Sequence, residues 1–273
     1  MKLALATPTP EVKTPVPVAL LSGSFAERMQ KAAHLGYDGV ELMAVHPDEL
    51  NVDEIHAQVS AAGLEVAAIA TGAIYMTDKI TLLASDPELS HRAAIRLDAS
   101  IDLAAALEAP IVTIGSFRGR LAWAGGPRAR EKLVEILRKG AEKAMRQGVR
   151  LVLEPLNRYE ADIVVTAEEG LSLIEEVGHS HLGLLLDTYH LNIEESSLTD
   201  PFRQTMAAGR LWHVHLGDSN RLPPGQGHID FPSIVAALVQ CGYSGYLSAE
   251  LLARPDPDTA AETTIKYMRK LMP

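Results

Sequence analysis

Short apolar runs bounded by turn residues recur along the chain, and between them lie stretches with apolar residues every three to four positions. Runs of the first kind predict buried strands and those of the second kind amphipathic helices. Strands are expected at residues 2–6, 38–43, 64–70, 110–115, 149–153, 182–186, 211–215 and 245–249. Helices are expected at 24–35, 52–62, 86–108, 128–147, 166–177, 200–208, 231–241 and 257–271, one after each strand. End signals agree with this division. Ser24 followed by Glu27, and Thr166 followed by Glu169, have capping-box spacing. Pro87 falls in a first helical turn, where its missing N–H costs nothing. Residues 7–22, with Pro8, Pro10, Pro15 and Pro17, read as a loop, as do 71–85, with short elements of its own, and 116–127.

Strands alternating with helices imply a parallel sheet. Eight such units in 273 residues fit one α/β domain, a closed (β/α)8 barrel over residues 1–273. An open doubly wound sheet is the alternative, but no Gly-x-Gly-x-x-Gly follows the first strand to support a dinucleotide site.

Polar chemistry collects where the later strands end. The stretch LVLEPLNRYE closes an apolar run on Glu154, is broken by Pro155, and continues into Asn157, Arg158, Tyr159 and Glu160. LGLLLDTYH ends on Asp187, LWHVHLGDSNR surrounds His215, and GYLSAE ends on Glu250. In a barrel these strand ends share one mouth, so the four side chains can converge on one divalent metal. Three oxygen donors with one imidazole suit Mn²⁺, Mg²⁺ or Co²⁺ better than zinc.

Composition narrows the partners. A net charge of −10 lacks the broad basic footprint of a nucleic-acid binder, though local arginines still allow a small anionic substrate. With Cys241 as the single cysteine no internal disulfide can form, which suits a reducing cytoplasm. No apolar run reaches the ~20 residues of a membrane span, and the first apolar run is too short for a signal sequence. A cytoplasmic protein acting on a small molecule, with no nucleic acid and no membrane, is the expectation.

At these positions the chain resembles the xylose-isomerase-like barrel superfamily, and within it the ketose 3-epimerases. EPLNRYE is similar to that group's Glu-x-x-Asn-Arg-x-Glu, DTYH to its Asp-x-x-His, and HLGDSNR with GQGHIDF to its His-x-Gly-Glu-x-Asn-Arg and glycine-rich loop. Asp218 stands where the group tends to have Glu. The resemblance implies a TIM barrel, with Glu154, Asp187, His215 and Glu250 as metal ligands, Mn²⁺ first. It implies Glu154 and Glu250 as an acid–base pair, and Glu160, His190 and Arg221 as the residues that hold substrate oxygens near C1–C3 of a sugar. A homodimer or homotetramer is implied by the same likeness.

His213 lies two residues before His215 and faces the same side of the strand. A place inside the barrel is expected for it rather than a ligand's role, because the spacing to Arg221 matches the group only from His215. Arg118 and Trp123 are candidates to line the pocket, Tyr75 and Met76 to wall it, and His228 is expected to be a loop residue first. A lyase acting on an inosose would reuse the same metal and carboxylates. A repair nuclease of the endonuclease IV type shares the Leu-Asp-Thr-x-His stretch, but it needs several more histidines and an Asp-x-His after the seventh strand, which this chain lacks.

Overall fold

The computed structural model describes residues 1–273 apart from Gly125, Pro127 and Pro273, so the end of the expected 116–127 loop lies partly outside the described residues. Eight strands form: β1 Lys2–Pro8, β2 Gly39–Met43, β3 Glu65–Ala70, β4 Ile111–Ile114, β5 Arg150–Leu153, β6 Leu182–Asp187, β7 Leu211–Leu216 and β8 Tyr246–Ala249. They pair in sequence order and close, β8 against β1, into a parallel barrel. The helices are α1 Phe25–Leu35, α2 Val52–Ala61, α3 Gly72–Asp78, α4 Pro87–Ala106, α5 Ala129–Arg146, α6 Ala167–Val177, α7 Thr188–Glu194, α8 Asp200–Ala207, α9 Phe231–Gln240 and α10 Pro257–Met268. No helix among the described residues is long and apolar enough to cross a membrane.

The strands are apolar on both faces because both are covered. Every residue of β6 is buried, and Leu184 and Leu186 join the large core between barrel and helices, while Leu185 packs in a smaller cluster with Ala68, Ile111 and Val152. Helix starts obey the expected chemistry. Ser24 accepts from the Glu27 N–H while the Glu27 carboxylate accepts from the Ser24 N–H, a cap worth about 1 kcal/mol. Asp86 caps α4 with Pro87 in its first turn.

Three segments depart from the pattern-based expectation. β1 runs two residues further, to Pro8, because Thr7 and Pro8 align with Leu42 and Met43 of β2. A proline without an N–H is tolerated at that terminal position. Helix α7 forms where no element was expected. It is too short for a clear period, and it starts on Asp187, whose side chain accepts from the Tyr189 N–H. Within the 116–127 stretch, two 3₁₀ turns, Ser116–Arg118 and Leu121–Trp123, replace open loop.

Candidate metal centre and pocket

Each of the four chemical side chains sits at the same end of its strand. Glu154 directly follows β5, Asp187 ends β6, His215 is next to last in β7, and Glu250 directly follows β8. All four are buried, and each offers one ligand atom within 4.8 Å of the others. The His215 Nδ1 lies 3.5 Å from Glu154 Oε1 and 3.6 Å from Glu250 Oε2. The convergence expected from four separate strand ends is therefore present.

Three buried carboxylates in one place repel each other and lose their hydration. Burial, then the charge of Glu154, push Asp187 up to about 7. Burial also raises Glu154. For Glu250 burial again opposes the charge, but His215 and Arg221 outweigh it and hold the carboxyl below its ordinary range. Glu154 Oε1, Asp187 Oδ2 and His215 Nδ1 are buried and have no hydrogen-bond partner among the described residues. Buried acceptors of this kind are costly unless something positive meets them. The donor set, three carboxylates and one imidazole with orphaned atoms facing one another, fits a divalent cation.

Around the carboxylates the backbone makes room. A Cβ on Gly115, just after β4, would stand 2.4 Å from Glu154 Oε2, so a larger residue there would have to displace the carboxylate. His190, on α7, is fully buried. Its Nδ1 accepts from the Asn157 backbone N–H at 3.2 Å and from the Asn157 side-chain amide at 2.8 Å. The proton is thereby left on Nε2, which points between Glu154 Oε1 and Asp187 Oδ2, 3.9 Å from each. Burial, with Arg221 nearby, holds His190 well below its ordinary range, so it is a neutral donor. Arg221 reaches Glu250 Oε2 at 3.2 Å and Glu160 Oε1 at 3.4 Å, over the ring of Tyr189. Asn157 also donates to Glu160 at 3.1 Å, tying the polar loop together.

Arg221 has a positive φ of 60° in a turn that Asp218 organises. The Asp218 carboxylate accepts from the N–H groups of Ser219, Gly225 and Ile229. A Cβ on Gly227 would strike it at 2.3 Å, which accounts for the glycine-rich loop. His228 in that loop is exposed, and its backbone N–H donates to Ser219 Oγ.

A cavity of about 230 Å³ opens over the carboxylates. Glu154, Glu160, His215, Arg221 and Glu250 line its polar side; Val18, Ala70, Tyr75, Met76, Leu156 and Leu252 face them. The apolar wall expected of Tyr75 and Met76 is there, extended by residues that carried no sequence signal. Two expectations are corrected. Arg118 does not line the pocket: it is fully buried, and its guanidinium donates to the carbonyls of Gly115, Glu154, Ile163 and Val164, bracing the loop behind Glu154. Trp123 packs on Tyr75, with ring centroids 5.8 Å apart, and lines a neighbouring groove instead.

Sequence reading also missed a residue. Glu41, in the middle of β2, is fully buried; its carboxylate bonds His213 Nε2 at 2.9 Å and His215 Nε2 at 3.0 Å. Burial opposes its charge, yet the two imidazoles hold it well below the ordinary range. An acid inside an apolar strand, in DGVELM, was the available signal. The same contact places His213 inside the barrel, as expected.

Comparison with known proteins follows this geometry. A family model described as Xylose isomerase-like TIM barrel matches residues 29–271. The L-ribulose 3-epimerase of Methylomonas sp. (strain DH-1) is 32% identical over 244 residues, 88% of this chain and 82% of that protein. The D-psicose 3-epimerase of Enterocloster bolteae is 38% identical over a shorter span of 144 residues, 53% of this chain and 46% of that protein. A solved structure of an L-ribulose 3-epimerase matches with a TM-score of 0.81 at 25% identity, covering 99% of this chain and 94% of that one. The chain belongs to the xylose isomerase-like TIM barrel family, and its epimerase relatives place it among the isomerases of that fold.

Proposed function

We propose that the protein is a metal-dependent carbohydrate epimerase that inverts C3 of a free ketose. The observation that supports this reading is the pair of buried carboxylates, Glu154 and Glu250, both within 3.6 Å of His215 Nδ1 and both lining a small pocket. Inverting a carbon next to a ketone requires one group to take its proton and a second, on the other face, to return one. Each such group contributes about 10²–10⁴-fold. Glu154 and Glu250 fill these roles. When bound, a divalent cation, Mn²⁺ first and Mg²⁺ or Co²⁺ after it, supplies positive charge against the enediolate left by proton removal. Glu154, Asp187, His215 and Glu250 would hold it.

His190 presents its Nε2–H to a substrate oxygen, and Arg221 and Glu160 hold the neighbouring hydroxyl and carbonyl groups. Among the described residues that line the cavity, Arg221 is the only lysine or arginine, and its guanidinium already faces Glu250 and Glu160. The wall opposite is apolar. That leaves no cationic cradle for a phosphate and supports an unphosphorylated sugar. A cytoplasmic homodimer or homotetramer belongs to the same reading and rests on the family resemblance and the cysteine usage. The test is to incubate Mn²⁺-loaded protein with fructose, tagatose, allulose, ribulose and xylulose and to resolve the products chromatographically. A C3 epimer from at least one is expected; no epimer from any of them overturns the reading.

A further inference from the structure

Glu41 is a charged side chain with no exposure, inside a barrel whose neighbouring positions in register, Ala6 on β1 and Ala68 on β3, are small and apolar. Burying a carboxylate costs several kcal/mol unless donors meet it. The donors here are two imidazoles from across the barrel. Glu41 Oε2 lies 2.9 Å from His213 Nε2 and 3.0 Å from His215 Nε2, and Oε1 lies 3.1 Å from the latter. A carboxylate can only accept, so both rings must present Nε2–H to it. The consequence for His215 is specific. Its Nε2 proton is committed to the Glu41 side, so Nδ1 is the nitrogen left to turn toward a cation held with Glu154 and Glu250, 3.5 and 3.6 Å away.

We infer that Glu41 is the positioning residue of the metal centre: it sets the tautomer and ring orientation of His215 and is itself held by His213. The inference rests on the metal reading of Glu154, Asp187, His215 and Glu250. Outer carboxylates on a ligating histidine raise its basicity and fix its lone pair, and removing them typically costs about 10–100-fold in metal affinity. Glu41, His213 and His215 also form a close three-donor group in their own right. Their separations are those of hydrogen bonds already made, and among the described residues no fourth donor joins them. They are thus a relay behind one metal, not a second metal site.

The experiment is Mn²⁺ titration followed by the electron paramagnetic resonance signal of free Mn²⁺, on wild type and Glu41→Gln. Glutamine keeps the volume but loses the charge, and in either orientation its NH₂ meets the His215 Nε2–H where a carboxylate oxygen accepted, so that bond weakens or the imidazole changes tautomer. One Mn²⁺ per chain in wild type is expected, with affinity about 10–100-fold weaker in Glu41→Gln and the same stoichiometry. Unchanged affinity overturns the role of Glu41 while leaving the metal reading intact. Two ions in wild type with one lost in the variant overturns it in favour of a second site. No Mn²⁺ bound by wild type overturns the metal reading and this inference with it. Should Glu41→Gln not fold, ¹⁵N spectra of histidine-labelled, Mg²⁺-loaded wild type decide: a His215 proton on Nε2 with Nδ1 unprotonated is expected, and a proton on Nδ1 contradicts it.

Discussion

The two halves of the barrel contribute different things to one mouth. Strands β5 to β8 bring the charged set, Glu154, Asp187, His215 and Glu250, with Glu160, His190 and Arg221 in the loops and helix beyond them. Strands β1 to β4 and their loops bring mostly shape: Val18, Ala70, Tyr75 and Met76 as wall, and Gly115 as clearance for Glu154. Charged side chains of the first half also reach across this division, Arg118 to the loop behind Glu154 among them. Glu41, from β2, reaches over to β7. On the proposed reading, reaction and selectivity are separable: the second half would supply the proton-transferring groups, and the first half would select the sugar that fits against them.

The largest effect should follow from breaking the second half. Glu154→Gln or Glu250→Gln should lower kcat by at least 10²–10⁴-fold, with weaker Mn²⁺ binding in each. Near-normal turnover by Glu250→Gln would exclude the two-carboxylate mechanism.

Gly115→Ala probes the seam between the halves. The added methyl would displace the Glu154 carboxylate, since its Cβ would stand 2.4 Å from Oε2. A shift of about 1 Å at a reacting group costs on the order of 10²-fold. The expected result is a fall in kcat of that size, with Tm shifted by no more than a few degrees.

Arg221→Ala removes the donors proposed to hold substrate oxygens. Hydrogen bonds to charged groups contribute about 1.5–3 kcal/mol, so kcat/KM should fall about 10- to 100-fold. Metal affinity, by titration, should change far less than it does in Glu154→Gln.

The smallest effect belongs to the wall. Met76→Ala should leave metal affinity unchanged and alter the ratio of kcat/KM between two ketoses by about tenfold, the scale of one or two methylenes in an apolar pocket. Equal losses on all sugars would show that the wall does not select.

Legibility in the sequence divides along the same line. An acid at the tip of an apolar strand announces itself by residue type, as does a histidine near such a strand's end, so the three acids and His215 were readable one strand at a time. Glu41 was not, because its meaning lies in a partner on the opposite wall of the barrel, 172 residues away in the chain at His213. Arg118 misled for a related reason. A charged residue in a mouth loop suggests substrate contact, but four carbonyl oxygens turn it inward. Helix α7 escaped because Asp187 is at once a member of the buried cluster and a helix cap. Beyond Tyr75 and Met76, the apolar wall carried no signal, because valine, alanine and leucine look the same in a pocket as in a core.

The central claim is proton exchange at C3 between two carboxylates, and it is tested most directly in D₂O. Mn²⁺-loaded protein would be incubated with whichever ketose it converts, and the product read by NMR. The account predicts that the new epimer carries deuterium at C3 and keeps both C1 hydrogens. An epimer that retains its original C3 hydrogen, or deuterium entering at C1 instead, would contradict it.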